Sequence, residues 1–243
     1  MYQKLPELIK GLNLIGIPKI KMTTNGFLLH KSVKILKKAG LSHLNISLDA
    51  ADEASFFKMT RRDKFEEVID GIDAALEVGI RVKINAVIMK GQNEDQILPL
   101  LQIAKDKEII IRFLEVMAMG HLHHQQQNNH LFSQDEILKL IAQNYHFEPL
   151  IRSKSATSNY WKTEEGLKFG IIANTSQPFC HDCNRLRLDQ EGNIYGCLSE
   201  NKPIDVKNIE TKAEWKKVLN EALRHKQPVS FTGSDLSMLK IGG

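Results

Sequence analysis

Cysteine is almost missing from this chain. Among its 243 residues only Cys180, Cys183 and Cys197 carry a thiol, and all three fall in the run FCHDCNRLRLDQEGNIYGCL. An odd count leaves one thiol over, which argues against a disulfide framework. An apolar run of membrane-spanning length is missing too, and the opening MYQKLPELIK lacks the apolar core of a secretory leader. Free thiols then point to the cytoplasm, and no membrane partner is expected. A strong excess of one charge is also missing: 33 Lys and Arg stand against 29 Asp and Glu, a net +4. Nucleic-acid binding usually needs a concentrated basic face, so no nucleic-acid partner is expected, while a phosphorylated small molecule fits the modest surplus. No internal repeat is visible. What remains is an ordinary globular balance, 42% apolar and 26% charged, able to bury a core.

The first 117 residues alternate between short apolar runs and helix-like segments. LPELIKGLNLIG reads as a helix and IPKIKMTTNG as a strand leaving at an Asn25-Gly26 turn. LLHKSVKILKKA has helical apolar spacing with Gly40 as a stop. LSHLNISLDA, IRVKINAVIM and IIIRFLEVM read as further strands, with FEEVIDGIDAALEVG and DQILPLLQIAKDK as the helices between them. Strand–helix alternation at this spacing predicts βαβ units and a parallel sheet, whose ligands collect at the carboxyl ends of the strands. Four strands are too few for a closed barrel, and the chain opens in a helix with no strand before it.

After Met117 the composition changes. AMGHLHHQQQNNH is rich in His, Gln and Asn, a composition that fits a solvated polar loop and also metal binding. Ser133 with Glu136 three residues on forms a capping-box pattern ahead of EILKLIAQNY. From Phe147 the chain reads as short strands and turns carrying the cysteines, then a helix in AEWKKVLNEALRHK and a tail ending Ile241-Gly242-Gly243.

Two thiols two residues apart can wrap one metal centre, and a third returning after a hairpin-length gap can close the site. Three soft ligands suit zinc or an iron–sulfur cluster and leave a coordination position open; a structural zinc site completed by His181 fits the same residues. In C-N-R-L-R, alternation puts Arg185 and Arg187 on one face beside the thiols, as bidentate donors for phosphate or as solvated surface charges. Arg81, Lys83 and Arg112 add cations along the strands, and a charge inside IRVKINAVIM must turn to a cavity or to solvent. Met117 reads as core filler as readily as a contact residue. The terminal Gly-Gly fits either a loose end or a segment slim enough to enter a narrow cavity.

TTNG, NISLD, KINAVIM, IRFLEVM, the cysteine run and a terminal IGG occur in that order, and together they resemble the molybdenum cofactor biosynthesis protein A family over essentially the whole chain. Members of that family are radical S-adenosylmethionine enzymes, GTP 3′,8-cyclases. The resemblance implies an α/β fold: an incomplete (β/α)6 radical-SAM (TIM-like) barrel, over residues 1–120, that here lacks its first strands. Residues 121–243 would form a C-terminal α+β extension carrying a [4Fe–4S] cluster and the GTP site. Carried over residue by residue, Cys180, Cys183 and Cys197 would hold that cluster, whose unligated iron binds guanine. Thr23, Lys83, Arg185, Leu186 and Arg187 would contact GTP, Ser47 and Met117 would contact S-adenosylmethionine, and Arg112, Gly242 and Gly243 would serve catalysis. The implied reaction is removal of the 3′ hydrogen of GTP by a 5′-deoxyadenosyl radical and attack of the carbon radical on C8. A homodimer and a downstream protein acting on 3′,8-cyclo-GTP are the implied partners. The family's N-terminal C-x3-C-x2-C and the Gly-Gly-Glu-Pro segment that ends its second barrel strand are not in this sequence, and Met1 aligns just after that segment, within the second barrel helix. The chain as given is therefore expected to bind substrate without completing the reaction; the alternative is a non-catalytic iron–sulfur or zinc module that binds a purine nucleotide. An exposed strand edge is expected at IPKIKMTTNG, with a tendency to associate.

Overall fold

The computed structural model describes residues 4–123 and 130–241. Strands β1 (Lys21–Thr24), β2 (His43–Ser47), β3 (Arg81–Ile88) and β4 (Ile110–Glu115) run parallel, as the alternating pattern predicts. Helices α1 (Leu5–Leu14), α2 (Leu29–Ala39), α4 (Phe65–Glu77) and α5 (Ile97–Asp106) occupy the segments read as helical. Helix α3 (Glu53–Thr60) is an addition. Asp52 caps it, accepting from the Ser55 N–H at 2.9 Å, and it buries a single residue, Phe56, so its apolar periodicity is too weak to read in advance. Helix α6 (Gln134–Ile141) opens with the expected capping box between Ser133 and Glu136.

The sheet is larger than four strands. β5 (Phe147–Leu150), β6 (Asn159–Thr163) and β7 (Lys168–Ile172) extend it to seven, in the order β1-β2-β3-β4-β7-β6-β5. β7 lies parallel to β4, whereas β6 and β5 turn back antiparallel, so the sheet continues past residue 120. Trp161 stacks on Phe169 with ring centroids 5.7 Å apart, and Phe147 meets the same ring edge-on at 5.3 Å. These rings lock the antiparallel strands onto the core.

Alternation along the strands separates two chemistries. Leu44, Ile46, Ile84, Ile88, Ile111, Phe113, Phe169 and Ile171 are completely buried in one contiguous core with Val33, Leu36, Val68, Ile72, Leu100 and Leu101 of the helices. Truncating a ring such as Phe113 here costs about 3–5 kcal/mol. The opposite face carries an exposed Thr23 and the half-buried Asn45, Lys83, Asn85 and Arg112. Register aligns them in rows: Thr23, Asn45 and Lys83 side by side, and one step further along the strands Ser47, Asn85, Arg112, Gly170 and Tyr160.

Strand β1 is an edge, and Leu8, Leu14, Ile15 and Ile17 near it are exposed. Over the polar face lies a second unit: the small antiparallel sheet of β8 (Arg187–Leu188), β9 (Asn193–Tyr195) and β10 (Ile204–Asp205), with α7 (Lys212–Arg224). Its own small core centres on Ile194, Val206 and Ala222. The tail returns to the main sheet where Ser234 exchanges backbone hydrogen bonds with Ala118 and Gly120 at 3.0 and 2.9 Å. Ile241, the last described residue, is buried with Met119 and Tyr195. Among the described residues no helix is long and apolar enough to cross a membrane.

Candidate functional site

A cavity of about 280 Å³ lies between the carboxyl ends of the parallel strands and the cysteine segment. The sheet contributes Asn85, Arg112, Leu114, Met117 and Ile172; the cysteine segment contributes Cys180, Cys183, Arg185, Arg187 and Cys197; the tail contributes Phe231 and Met238. Seven residues singled out by sequence thus share one space: Arg112, Met117, the three cysteines and both arginines of C-N-R-L-R. Among the described residues no carboxylate lines it, so its charge is cationic apart from whatever the thiols carry.

The hairpin β8–β9 brings Cys197 back beside Cys180 and Cys183. Its turn is organised by Asp189, which accepts from the Asn193 N–H at 2.9 Å, from Asn193 Nδ2 at 2.9 Å and from the Tyr195 hydroxyl at 3.0 Å. The thiols are unpaired and half-buried. Burial pushes the Cys180 thiol up, and its neighbours Cys197 and Cys183 push it the same way, opposed by Arg185 and Lys226. Such a thiol gives up its proton when a metal takes its place. Among the described residues no three His, Cys, Asp or Glu side chains converge as the ligands of a single ion. The sulfurs face a shared space instead, which suits a multi-iron group with thiolate ligands.

The two-cysteine turn is clamped from outside. Asp182, between Cys180 and Cys183, takes a bidentate pair from Arg152 at 2.7 and 2.8 Å and accepts the Ser155 N–H at 2.8 Å. Arg152, and then the Ser155 amide, hold the Asp182 carboxyl far below the usual carboxylate range. The Ser155 carbonyl in turn accepts from Arg185 Nη1 at 2.7 Å, and the guanidinium lies 5.2 Å over the Phe179 ring. The rest of the Arg185 fork has no acceptor among the described residues. Arg187 is half-buried beside it, and burial, with Arg185 nearby, lowers its pKa. Leu186 between them packs into the small core rather than lining the cavity.

Arg112 forms the floor. Its Nε donates to Asn85 Oδ1 and its Nη2 to Asn45 Oδ1, both at 2.9 Å, and the Asn45 amide reaches Thr23 Oγ1 at 3.4 Å. Beneath it a wider chamber of about 760 Å³ is lined by Lys83, Asn45, Arg112 and others. Lys83 belongs to that chamber: its ammonium donates to the Tyr160 hydroxyl at 2.9 Å and lies 4.9 Å from the ring centroid. Gly170 makes room, since a Cβ there would sit 2.8 Å from the Tyr160 ring and 3.3 Å from Arg112. Thr23 and Lys83 are thus one layer below the cysteine cavity, and Ser47 is exposed at the end of β2, opposite Asn85. Gly242, Gly243 and residues 124–129 of the His- and Gln-rich stretch lie outside the described residues. Sequence reasoning missed Asn45, Arg152, Tyr160, Asp182 and Lys226. Only Asp182 carried a local signal, its position between two cysteines.

Residues 1–104 match the family model described as Radical SAM superfamily, and residues 109–231 match Molybdenum Cofactor Synthesis C. A protein of Helicobacter pylori (strain HPAG1) named GTP 3′,8-cyclase is 40% identical over 84% of this chain and 64% of its own length. Proteins of the same name from Staphylococcus saprophyticus and Staphylococcus aureus (strain JH9) are 40% and 41% identical over 80% and 82% of this chain and 58% and 59% of theirs. The chain therefore spans about three fifths of these curated relatives. Among solved structures, Streptococcus suis SuiB bound to precursor peptide SuiA superposes with a TM-score of 0.59 at 18% identity, over 91% of this chain and 51% of that one. SuiB bound to S-adenosylmethionine gives 0.54 at 19% identity, again over 91% of this chain and 51% of that one. At such identities the likeness concerns the fold, a radical-SAM TIM-like sheet. With a match over half its length, the chain belongs to the Molybdenum Cofactor Synthesis C family.

Proposed function

We propose that this chain is the substrate-holding portion of a GTP 3′,8-cyclase acting in molybdenum cofactor biosynthesis. The observation that carries the reading is the convergence of three thiols with Arg112, Arg185 and Arg187 on one cavity that no described carboxylate lines. Cys180, Cys183 and Cys197 are the proposed ligands of a [4Fe–4S] cluster. Such a cluster, with three protein ligands, supplies an iron with an open position that a purine base can occupy. The protein's own groups do the rest. Arg185 and Arg187 meet the phosphates of GTP as charge-assisted donors. Arg112, pinned by two asparagines, keeps its cation in the floor without rotating away. Thr23 and Lys83 extend the proposed GTP contacts into the lower chamber, and Leu186 contributes backbone. Ser47 and Met117 are the proposed contacts of S-adenosylmethionine, at the ends of β2 and β4. Gly242 and Gly243 are proposed to enter the site. Residues 1–120 would carry the radical-SAM part and residues 121–243 the cluster and nucleotide extension. A cytoplasmic homodimer handing its product to a downstream protein belongs to the same reading.

Anaerobic reconstitution tests it. About four iron and four sulfide per chain are expected. Replacing Arg185 or Arg187 by alanine should then weaken GTP binding by about 1.5–3 kcal/mol, roughly ten- to a hundredfold. Stoichiometric zinc with no iron, or GTP affinity indifferent to both arginines, would overturn the reading.

A further inference from the structure

Lys226 stands two residues past the end of α7 and reaches back into the cysteine segment. Its ammonium donates to the Gly196 carbonyl at 2.9 Å and to the Arg185 carbonyl, and lies 3.7 Å from Cys183 Sγ. These acceptors belong to two different arms. Arg185 stands two residues after Cys183, and Gly196 immediately precedes Cys197.

Packing fixes this placement. Ala222 is completely buried, and its carbonyl presses so closely on Gly196 that a Cβ there would sit 1.8 Å from the oxygen. Beside it His225 Nδ1 lies 3.0 Å from Glu200 Oε2, tying the helix end to the stretch after Cys197. The ammonium is thus delivered to the sulfur by a helix end, not by a wandering surface chain.

We infer that Lys226 is a positioning residue for the group held by the three cysteines, joining the Cys183 and Cys197 arms and setting a fixed positive charge beside the Cys183 sulfur. The inference rests on the proposal that these cysteines hold a [4Fe–4S] cluster. Net charge and hydrogen bonds to the sulfurs tune the reduction potential of such clusters, and a nearby cation favours the state that has gained an electron. Lys226 therefore makes the cluster easier to reduce, with the electron supplied by an external reductant.

The test compares the full chain with K226M and K226R after anaerobic reconstitution. Iron and sulfide are measured first, and dithionite titrations are then followed by electron paramagnetic resonance. K226M should keep its iron, yet at the parent's midpoint its reduced-to-oxidised ratio should fall about tenfold, which is about 59 mV for a one-electron couple. K226R should stay near the parent ratio. A K226M chain with the parent's ratio overturns the inference, as does K226R shifting as far as K226M. If K226M loses iron while K226R keeps it, the charge is needed to join the arms and the inference stands. If both lose it, the contact is packing alone and the inference falls. A parent chain without iron and sulfide overturns the cluster reading instead, independently of either variant.

Discussion

Gly196→Ala is the perturbation whose size the structure fixes most tightly. An added Cβ would meet the Ala222 carbonyl oxygen at 1.8 Å, its carbon at 2.9 Å and His225 Cβ at 3.2 Å. Ordinary contact begins near 3.4 Å, and the obstacle is helix backbone rather than a side chain that could swing aside. Either the carboxyl end of α7 or the Cys197 arm must therefore retreat by about 1.5 Å, in an interior with few voids to absorb the movement. Overpacking of this kind costs about 1–3 kcal/mol. For a chain of this size each kcal/mol moves the melting temperature by about 2–4 °C, so a drop of about 2–12 °C is expected. The retreat also strains the arm that carries Cys197, one of the three proposed ligands, so cluster content after reconstitution should fall along with the melt. Differential scanning calorimetry of the reconstituted chain, with iron analysis of the same samples, gives both readings. A variant that melts with the parent and holds the same iron would refute the claim that α7 is seated on the Cys197 arm through Gly196.

Tyr160→Phe removes the acceptor of the Lys83 ammonium while keeping the ring, and should cost about 1–2 kcal/mol in a urea melt; an unchanged midpoint would show that the 2.9 Å contact contributes nothing. Glu136 is held to about 2 from an ordinary 4.5 by Lys90 at 2.7 Å and by the Ser133 amide and hydroxyl. Its folded value lies below its unfolded one, so its contribution is complete above about pH 4.5 and disappears as pH falls toward 2. Glu136→Gln should therefore melt below the parent at pH 7, with the gap closing between pH 4.5 and pH 2; a constant gap would contradict the assignment.

Much of the barrel-like half is legible in the order of its residues. Runs such as KINAVI put Ile84, Ala86 and Ile88 on one face and Lys83 and Asn85 on the other, and period-two alternation is a local signal. Strand β7 is not legible in the same way. Its five residues sit in a stretch that reads as short strands and turns, and its parallel pairing with β4 depends on a partner some sixty residues away. The site divides likewise. Three cysteines in one run announce a shared centre, and Arg185 and Arg187 stand next to it. What holds these groups comes from elsewhere. Arg152 reaches Asp182 across 30 residues, Lys226 reaches Cys183 across 43, Arg112 reaches Asn45 across 67, and Lys83 reaches Tyr160 across 77. None of these pairings follows from local propensity, because each exists only once sheet register and the docking of the C-terminal unit have placed the partners. Lys83 shows the consequence: sequence leaves it a cavity or solvent, and only the fold places it in the lower chamber with its ammonium on the Tyr160 hydroxyl.

The central claim is that the cysteine cavity reads a guanine nucleotide through a cluster held by Cys180, Cys183 and Cys197. Calorimetric titration of the anaerobically reconstituted chain with GTP and with ATP, repeated on the iron-free chain, tests it most directly. The account predicts tighter binding of GTP than of ATP by the cluster-loaded chain, and loss of that preference when the iron is removed. Equal affinity for both nucleotides, or a preference that survives without iron, would contradict it.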